Sequence, residues 1–344
     1  MGLTRAQAKD IRNSLDNCKR PLYLFDDDPD GLCAFLLAYR YKKEGKGIVV
    51  KAHPYIGEPF VRKVREYEPD AIFILDIANV DQQFIDEVKL PVVWIDHHGP
   101  HKRERVSYYN PRCEKQDDNY PTTPMLYQVV SQDIWIATVG AVADWFIPPY
   151  LKEFIRQYPN ILDKPSNEPG KLLFETRLGR LCRMFSFALK GKAEDVNKNI
   201  KVLTRIDDPE DILSKKTPQG RFIHRYAEKV NVLYDELMAD TLNSSVRKNM
   251  VIYKYTDRMM SLTADLSNEL LHRFPDKVII IAREKAGEMK MSLRSKHHTI
   301  PPILEKALAG CHNAHGGGHE HACGACVRKE DFDEFVERVE KNLG

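Results

Sequence analysis

Residues 22–31 read Leu-Tyr-Leu-Phe-Asp-Asp-Asp-Pro-Asp-Gly, an apolar run that stops on four carboxylates, Asp26, Asp27, Asp28 and Asp30. A short continuous apolar run ended by turn residues is the pattern of a strand buried on both faces. Pro29 and Gly31 are the residue types that shape a tight turn after it. Working outward, similar runs recur at Ile48–Ala52, Ala71–Leu75 and Val92–Ile95, while Gly31–Lys43 and Pro59–Tyr67 carry the spacing of amphipathic helices. Strand and helix alternating at this pitch predict a parallel sheet, whose ligands bind beyond the carboxyl ends of the strands.

That edge is where the chain places its acids. Asp76 follows Ile72–Leu75, Asp96-His97-His98 follows Val92–Ile95, and Asp144 follows the small-residue run Thr138–Ala143. If the strands are parallel, Asp28, Asp30, Asp76, Asp96, His97, His98 and Asp144 can converge. Carboxylates brought together repel and raise one another's pKa, a problem that divalent cations remove. Asp28 and Asp30, alternating in the turn, could each serve a different ion, with Asp76 bridging them at roughly 3.5–4 Å separation. Mixed oxygen and imidazole ligation suits Mn²⁺ or Mg²⁺. The plainer alternatives are a solvated Asp-rich cap and an Asp-His-His helix cap; convergence in space decides between them.

The rest of the chain bounds the answer. Its 344 residues, 42% hydrophobic, suffice for two domains with real cores. The 52 basic and 50 acidic residues nearly cancel, so overall charge gives no argument for nucleic-acid binding. Seven cysteines, scattered apart from Cys323-x-x-Cys326, do not form a disulfide framework. The absence of a long apolar segment or an apolar leader gives the expectation of a cytoplasmic protein without a membrane span. A helical region runs from about 134 to 200, interrupted by a Pro-rich surface loop at 163–170. Phe222, Tyr226, Val230, Leu233 and Leu237 form a helical stripe. The expected domains are 1–205, a helical linker at 206–245, and a second α/β domain at 246–344, with strand-like runs at Met250–Tyr255 and Val278–Ala282.

Taken in order, Asp26-x-Asp28-x-Asp30-Gly31, Asp76, Asp96-His97-His98 and Asp144 resemble the successive motifs of the DHH phosphoesterase superfamily, in its RecJ-like form. Ser292-Leu-Arg294-Ser295 and Gly316-Gly-Gly-His319-x-x-Ala322-x-Gly324 resemble its DHH-associated substrate domain. In the superfamily's other opening pattern, His-x-x-x-Asp-x-Asp, the histidine would fall at Leu24. The resemblance implies a parallel-sheet catalytic domain joined by a helical linker to a smaller α/β domain. It implies that Asp28 and Asp76 hold one divalent cation and that Asp30, Asp76, His97 and Asp144 hold another. Asp96 would orient His97, His98 would face the scissile phosphate or leaving group, and Asp26 would be an auxiliary group acting through water.

For the C-terminal domain, Ser292, Arg294 and Ser295, following a strand, would bind a phosphate. Gly316, Gly317 and Gly318 form a glycine-rich loop whose N–H groups approach an anion, and His319 adds a donor. A zinc site built from Cys311, His312, His315, His319, His321, Cys323 and Cys326 is the competing reading. Lys102, Arg103, Arg105 and Lys296-His297-His298 are either backbone contacts to nucleic acid or solvated surface. The resemblance implies a two-metal exonuclease on single-stranded DNA or RNA that releases nucleoside monophosphates. The alternatives are a nano-RNase or 3′-phosphoadenosine-phosphate phosphatase acting on short oligonucleotides, and a non-catalytic replication scaffold. A replication or repair partner and a homo-oligomer complete the expectations.

Overall fold

The computed structural model describes residues 2–51, 55–244, 246–247, 249–256 and 260–343. Two compact units result, one from Met1–Leu189 with Ala193–Arg225, the other from Lys190–Lys192 with Tyr226–Gly344.

The first unit opens with α1 (Arg5–Asn17), started by a capping box in which Thr4 and Gln7 satisfy each other's backbone N–H groups. Then come β1 (Pro21–Asp26), α2 (Pro29–Lys42), β2 (Lys46–Val50), the short β3 (Tyr55–Ile56), α3 (Glu58–Tyr67), β4 (Ala71–Leu75), the short β5 (Asn79–Val80), α4 (Gln82–Val88), β6 (Val92–Ile95) and β7 (Ser107–Tyr109). The expected second run ends at Ala52, which lies outside the described residues. Strands β2, β1, β4, β6 and β7 form one parallel sheet in that order.

Both faces of this sheet are covered, which is why its central strands read as unbroken apolar runs. Leu22, Leu24, Ile72, Ile74 and Trp94 share one core cluster with Val61 and Val64 of α3 and Phe84 of α4. On the other face, Phe35 of α2 stacks on Phe25 at 4.6 Å and meets Tyr23 edge-on at 5.6 Å. Burying each such side chain contributes about 1.5–3 kcal/mol, so the strand levels are strongly fixed. The register sets Asp26 beside Val50, Phe25 beside Leu75, Leu75 beside Ile95, and Ile95 beside Tyr109. The strand ends therefore form one level edge.

Helices α5 (Thr122–Val130) and α6 (Ile134–Ala143) pack on α2. They are followed by α7 (Leu151–Gln157), α8 (Pro169–Glu175), α9 (Arg177–Ala188), α10 (Ala193–Leu203), α11 (Pro209–Leu213) and α12 (Pro218–Ser244). The two units part at Arg225 and Tyr226, inside α12. The expected stripe on that helix is rotated: the buried apolar residues are Ile223, Ala227, Val230, Tyr234, Leu237 and Met238, whereas Phe222, Tyr226 and Leu233 are only partly covered. Tyr234 lies inside because its hydroxyl donates to Glu269 at 2.6 Å, so a polar-tipped ring takes a core position.

The second unit carries β8 (Met250–Thr256), α13 (Thr263–Arg273), β9 (Val278–Lys285), β10 (Glu288–Arg294), α14 (Ile300–Leu308), β11 (His315–His319), β12 (Ala322–Arg328) and α15 (Phe332–Lys341). Its sheet order is β11-β12-β10-β9-β8, with only β8 and β9 parallel. Alternation along β10 sorts its side chains. Met289, Met291 and Leu293 enter the core with α14 and α15, while Ser292 and Arg294 reach Thr263 and Asn268 of α13.

Candidate metal centre

At the end of β1, Asp28 becomes the N-cap of α2, its Oδ1 accepting from the Gly31 N–H at 2.9 Å. Pro29 supplies the first helical residue and Asp30 the second. A β-carbon on Gly31 would lie 2.7 Å from the Asp26 nitrogen and 2.9 Å from its carbonyl oxygen, so this turn accepts only glycine without moving backbone. Asp30 is 1% exposed, and its two oxygens accept the Thr122 and Thr123 N–H groups at 2.8 and 2.9 Å. The N-terminus of α5, with its partial positive charge, thus holds a buried carboxylate.

Asp76, just past β4, is also 1% exposed and adopts φ 61°, a left-handed conformation uncommon outside glycine. Its N–H stays bonded to Ile95 O at 2.9 Å, and the Thr122 hydroxyl donates to its Oδ1 at 3.1 Å. Such strain persists only where surrounding contacts enforce it. Beyond β6, the His97 Nδ1–H donates to Asn119 Oδ1 at 3.1 Å, which turns Nε2 toward Asp76 Oδ1 at 3.3 Å and Asp144 Oδ2 at 3.9 Å. Asp96 does not orient His97 as expected. Its carboxylate binds His98 instead, at Nδ1 (2.6 Å) and at the backbone N–H (3.1 Å), and it also accepts from Asn110. Geometry explains this, because a side chain two residues on curls back to the preceding carboxylate more easily than its immediate neighbour. Asp144 comes from a helix, as the C-cap of α6.

Three sets of ligand-type atoms lie within 4.8 Å of one another: Asp26 with Asp28 and Asp76, Asp30 with His97 and Asp144, and Asp76 with His97 and His98. Asp76 and His97 each belong to two sets. Burial, reinforced by the neighbouring carboxylates Asp28 and Asp30 respectively, holds Asp26 and Asp76 well above the ordinary carboxylate range. Burial together with Asp144 pushes Asp30 up to about 7, and burial together with Asp28 pushes Asp144 up to about 8. His97 is lowered by burial and by its neighbour His98. Burial also opposes charge on His98, but the Asp96 carboxylate outweighs it and raises the imidazole to about 9.

The donor set fits divalent cations. It gathers carboxylate oxygens and the imidazoles of His97 and His98 with no thiolate, the like charges it crowds together call for positive charge, and the buried Asp144 Oδ2 makes no hydrogen bond. Asp27 is directed elsewhere, 3.8 Å from Lys51 Nζ. Thr122, Thr123 and Asn119 escaped the sequence reading because threonine and asparagine carry no metal signal. The one clue was Asn119-Tyr-Pro-Thr-Thr123, a helix-start pattern.

In the second unit, Ser292 and Arg294 lie within β10 and Ser295 just after it. Arg294 donates to Asn268 Oδ1 at 2.7 Å and to the carbonyls of Leu293 and Cys323, and burial lowers it to about 10. Ser295 accepts from the His297 and His298 N–H groups. Gly316, Gly317 and Gly318 do not form a loop. They are the exposed middle of edge strand β11, paired with β12, and His319 ends that strand. Residues without side chains resemble a loop in sequence, yet here the antiparallel ladder takes them. The cysteines and histidines of the zinc reading do not converge among the described residues; Cys323 and Cys326 are buried free thiols three positions apart on β12. Arg103 is tied to Val80 O and Asn79, and Arg105 to Asp86.

Family models match in two places, the DHH family N-terminal domain over residues 23–155 and the DHHA1 domain over residues 248–344. The chain belongs to the DHH family. Comparison with curated proteins by sequence returns no significant match. Among solved structures, this DHH protein is similar to RecJ from Thermus thermophilus in complex with Mn²⁺, at 16% identity and TM-score 0.71, covering 98% of this chain and 54% of that one. It thus spans about half the length of that RecJ. It is also similar to an exonuclease RecJ bound to manganese (16% identity, TM-score 0.63, 98% and 93% covered), and to CDC45 from Entamoeba histolytica (11%, 0.50, 99% of each chain). Its fold is RecJ-like. No helix among the described residues is long and apolar enough to cross a membrane.

Proposed function

We propose that this DHH protein is a metal-dependent phosphodiesterase acting as an exonuclease on single-stranded DNA or RNA and releasing nucleoside monophosphates. The observation that carries the reading is the sharing of Asp76 and His97 among three adjoining ligand sets on one sheet edge. Asp28 and Asp76, joined by Asp26, would hold one divalent cation. Asp30, Asp76, His97 and Asp144 would hold the other. When bound, two such cations supply Lewis acidity for attack of water on phosphorus.

The chain's own residues do the rest. Asn119 fixes the His97 tautomer so that Nε2 keeps its lone pair for ligation. In the metal-free protein Asp96 raises His98 to about 9, which favours an imidazolium able to bind a phosphoryl oxygen or donate a proton to the leaving oxygen. In the second unit, Arg294 is anchored through Nε and Nη1, bonds that leave out Nη2, so it offers a fixed guanidinium for a phosphate. Ser292, Ser295, the Gly316–Gly318 strand and His319 complete that reading.

The test incubates the protein and Mn²⁺ with 5′-labelled and 3′-labelled DNA and RNA of graded lengths. Stepwise release of mononucleotides from long single strands is expected, with loss of that activity in Asp76→Ala. Cleavage confined to dinucleotides would sink the long-strand reading.

A further inference from the structure

The turn after Asp144 breaks a local rule. Phe146 N–H bonds to Ala141 O at 2.9 Å and Trp145 N–H to Val142 O at 3.0 Å, the bonding pattern of a Schellman motif closing α6. Its C′ position requires positive φ and is normally glycine. Here it is Trp145, at φ 58°. A bulky side chain in that conformation is an outlier, costly relative to glycine, and rule-breaking of this kind concentrates at functional sites. Trp145 directly follows a residue of the candidate centre, its Cα one peptide unit, about 3.8 Å, from that of Asp144.

Trp145 is only partly buried. Phe174 flanks it at 6.0 Å and 57°, and the turn is pinned by Phe146 against Tyr120 at 5.0 Å. A ring held on a strained but braced turn, in a residue partly open to solvent, loses little further freedom when a flat ligand stacks on it.

We propose that Trp145 is a base-stacking platform for the nucleotide whose phosphate occupies the candidate centre. The proposal rests on the nucleic-acid reading above. Every base has a π face, so such a platform gives affinity without sequence preference, as suits an enzyme that removes one nucleotide after another.

The three tryptophans make the test direct. Trp94 is 0% and Trp135 1% exposed, so external ligands reach only Trp145. The Mn²⁺-loaded protein is titrated with dAMP and, separately, with 2-deoxyribose 5-phosphate, following tryptophan emission and binding heat. Emission is expected to respond to dAMP, which should bind about 5- to 150-fold more tightly than the baseless sugar phosphate, the range of a stacking contribution of roughly 1–3 kcal/mol. In W145A that preference should collapse toward one. In W145F the emission response should vanish while most of the preference survives, which a merely structural role for the indole would not produce. Equal binding of the two ligands by the wild-type protein, or an undiminished preference in folded W145A, overturns the proposal. Binding is read without turnover, so a protein that stacks dAMP but cleaves no strand would refute the exonuclease reading and leave the platform standing.

Discussion

Thr122 engages two carboxylates at once, its N–H bonding Asp30 and its hydroxyl bonding Asp76. The two effects separate by substitution. Thr122→Val keeps the backbone donor and the side-chain volume but removes the Asp76 bond, so that carboxylate loses an orienting partner. We expect Mn²⁺ affinity to fall about 10- to 100-fold with the fold intact, as for other groups that orient metal ligands; calorimetric titration showing wild-type affinity would refute the role. The Asp96–His98 pair offers a second residue-scale prediction. Burial alone pulls His98 down and the Asp96 carboxylate raises it to about 9. In Asp96→Asn the burial effect remains and only the smaller pull of Asp26 and Asp144 opposes it, so the imidazole should titrate well below about 9. An NMR titration of His98 in metal-free protein checks this, and an unchanged value would place the source of the shift elsewhere.

The elements show what sequence carries and what it hides. Apolar runs at 22–25, 71–75 and 92–95 became β1, β4 and β6 because buried parallel strands need residues like Ile72, Phe73 and Trp94 on both faces, a constraint written locally. Strand β7, Ser107–Tyr109, is only three residues long and carries no apolar run, so only its pairing with β6 identifies it. Acids at strand ends were legible for the same local reason. The threonines of α5 were not, since their role exists only through contacts more than 40 positions away in sequence. The glycine strand β11 was misread because its structure comes from β12, not from itself. A prediction at this scale concerns the junction of β1 and α2. Gly31→Ala places a methyl against the Asp26 backbone, so α2 must shift and carry Asp30 away from α5. We expect destabilisation of about 1–3 kcal/mol, the usual cost of overpacking, together with weakened Mn²⁺ binding. Denaturant midpoints and metal titrations at wild-type values would show that the junction tolerates a side chain.

For the molecule as a whole, the acidic centre links folding to metal and to pH. In the metal-free protein Asp30 titrates at about 7 and Asp144 at about 8, whereas both return to the ordinary value of about 3.9 on unfolding. Between those values the folded state binds more protons than the unfolded state, so unfolding free energy falls as pH rises from about 4 through about 8. This is the reverse of the salt-bridged carboxylate that loses its contribution in acid. Cations that bind only the folded centre oppose the trend, adding about 2.7 kcal/mol at a hundred times their Kd and more as the acids ionise. All three tryptophans, Trp94, Trp135 and Trp145, lie in the first unit, so emission during heating reports its unfolding selectively. In EDTA the midpoint should decline steadily from about pH 5 to about pH 8.5, and in excess Mn²⁺ the decline should flatten or reverse. Asp30→Asn, which removes one ionising group and keeps an acceptor for only one of the two α5 N–H groups, should flatten the metal-free decline with pH and lose most of the Mn²⁺ response. A metal-free midpoint that climbs across this interval would mean the acids are ionised and solvated in the folded protein, and the closed centre drawn from Asp30, Asp76, His97 and Asp144 would not exist in solution.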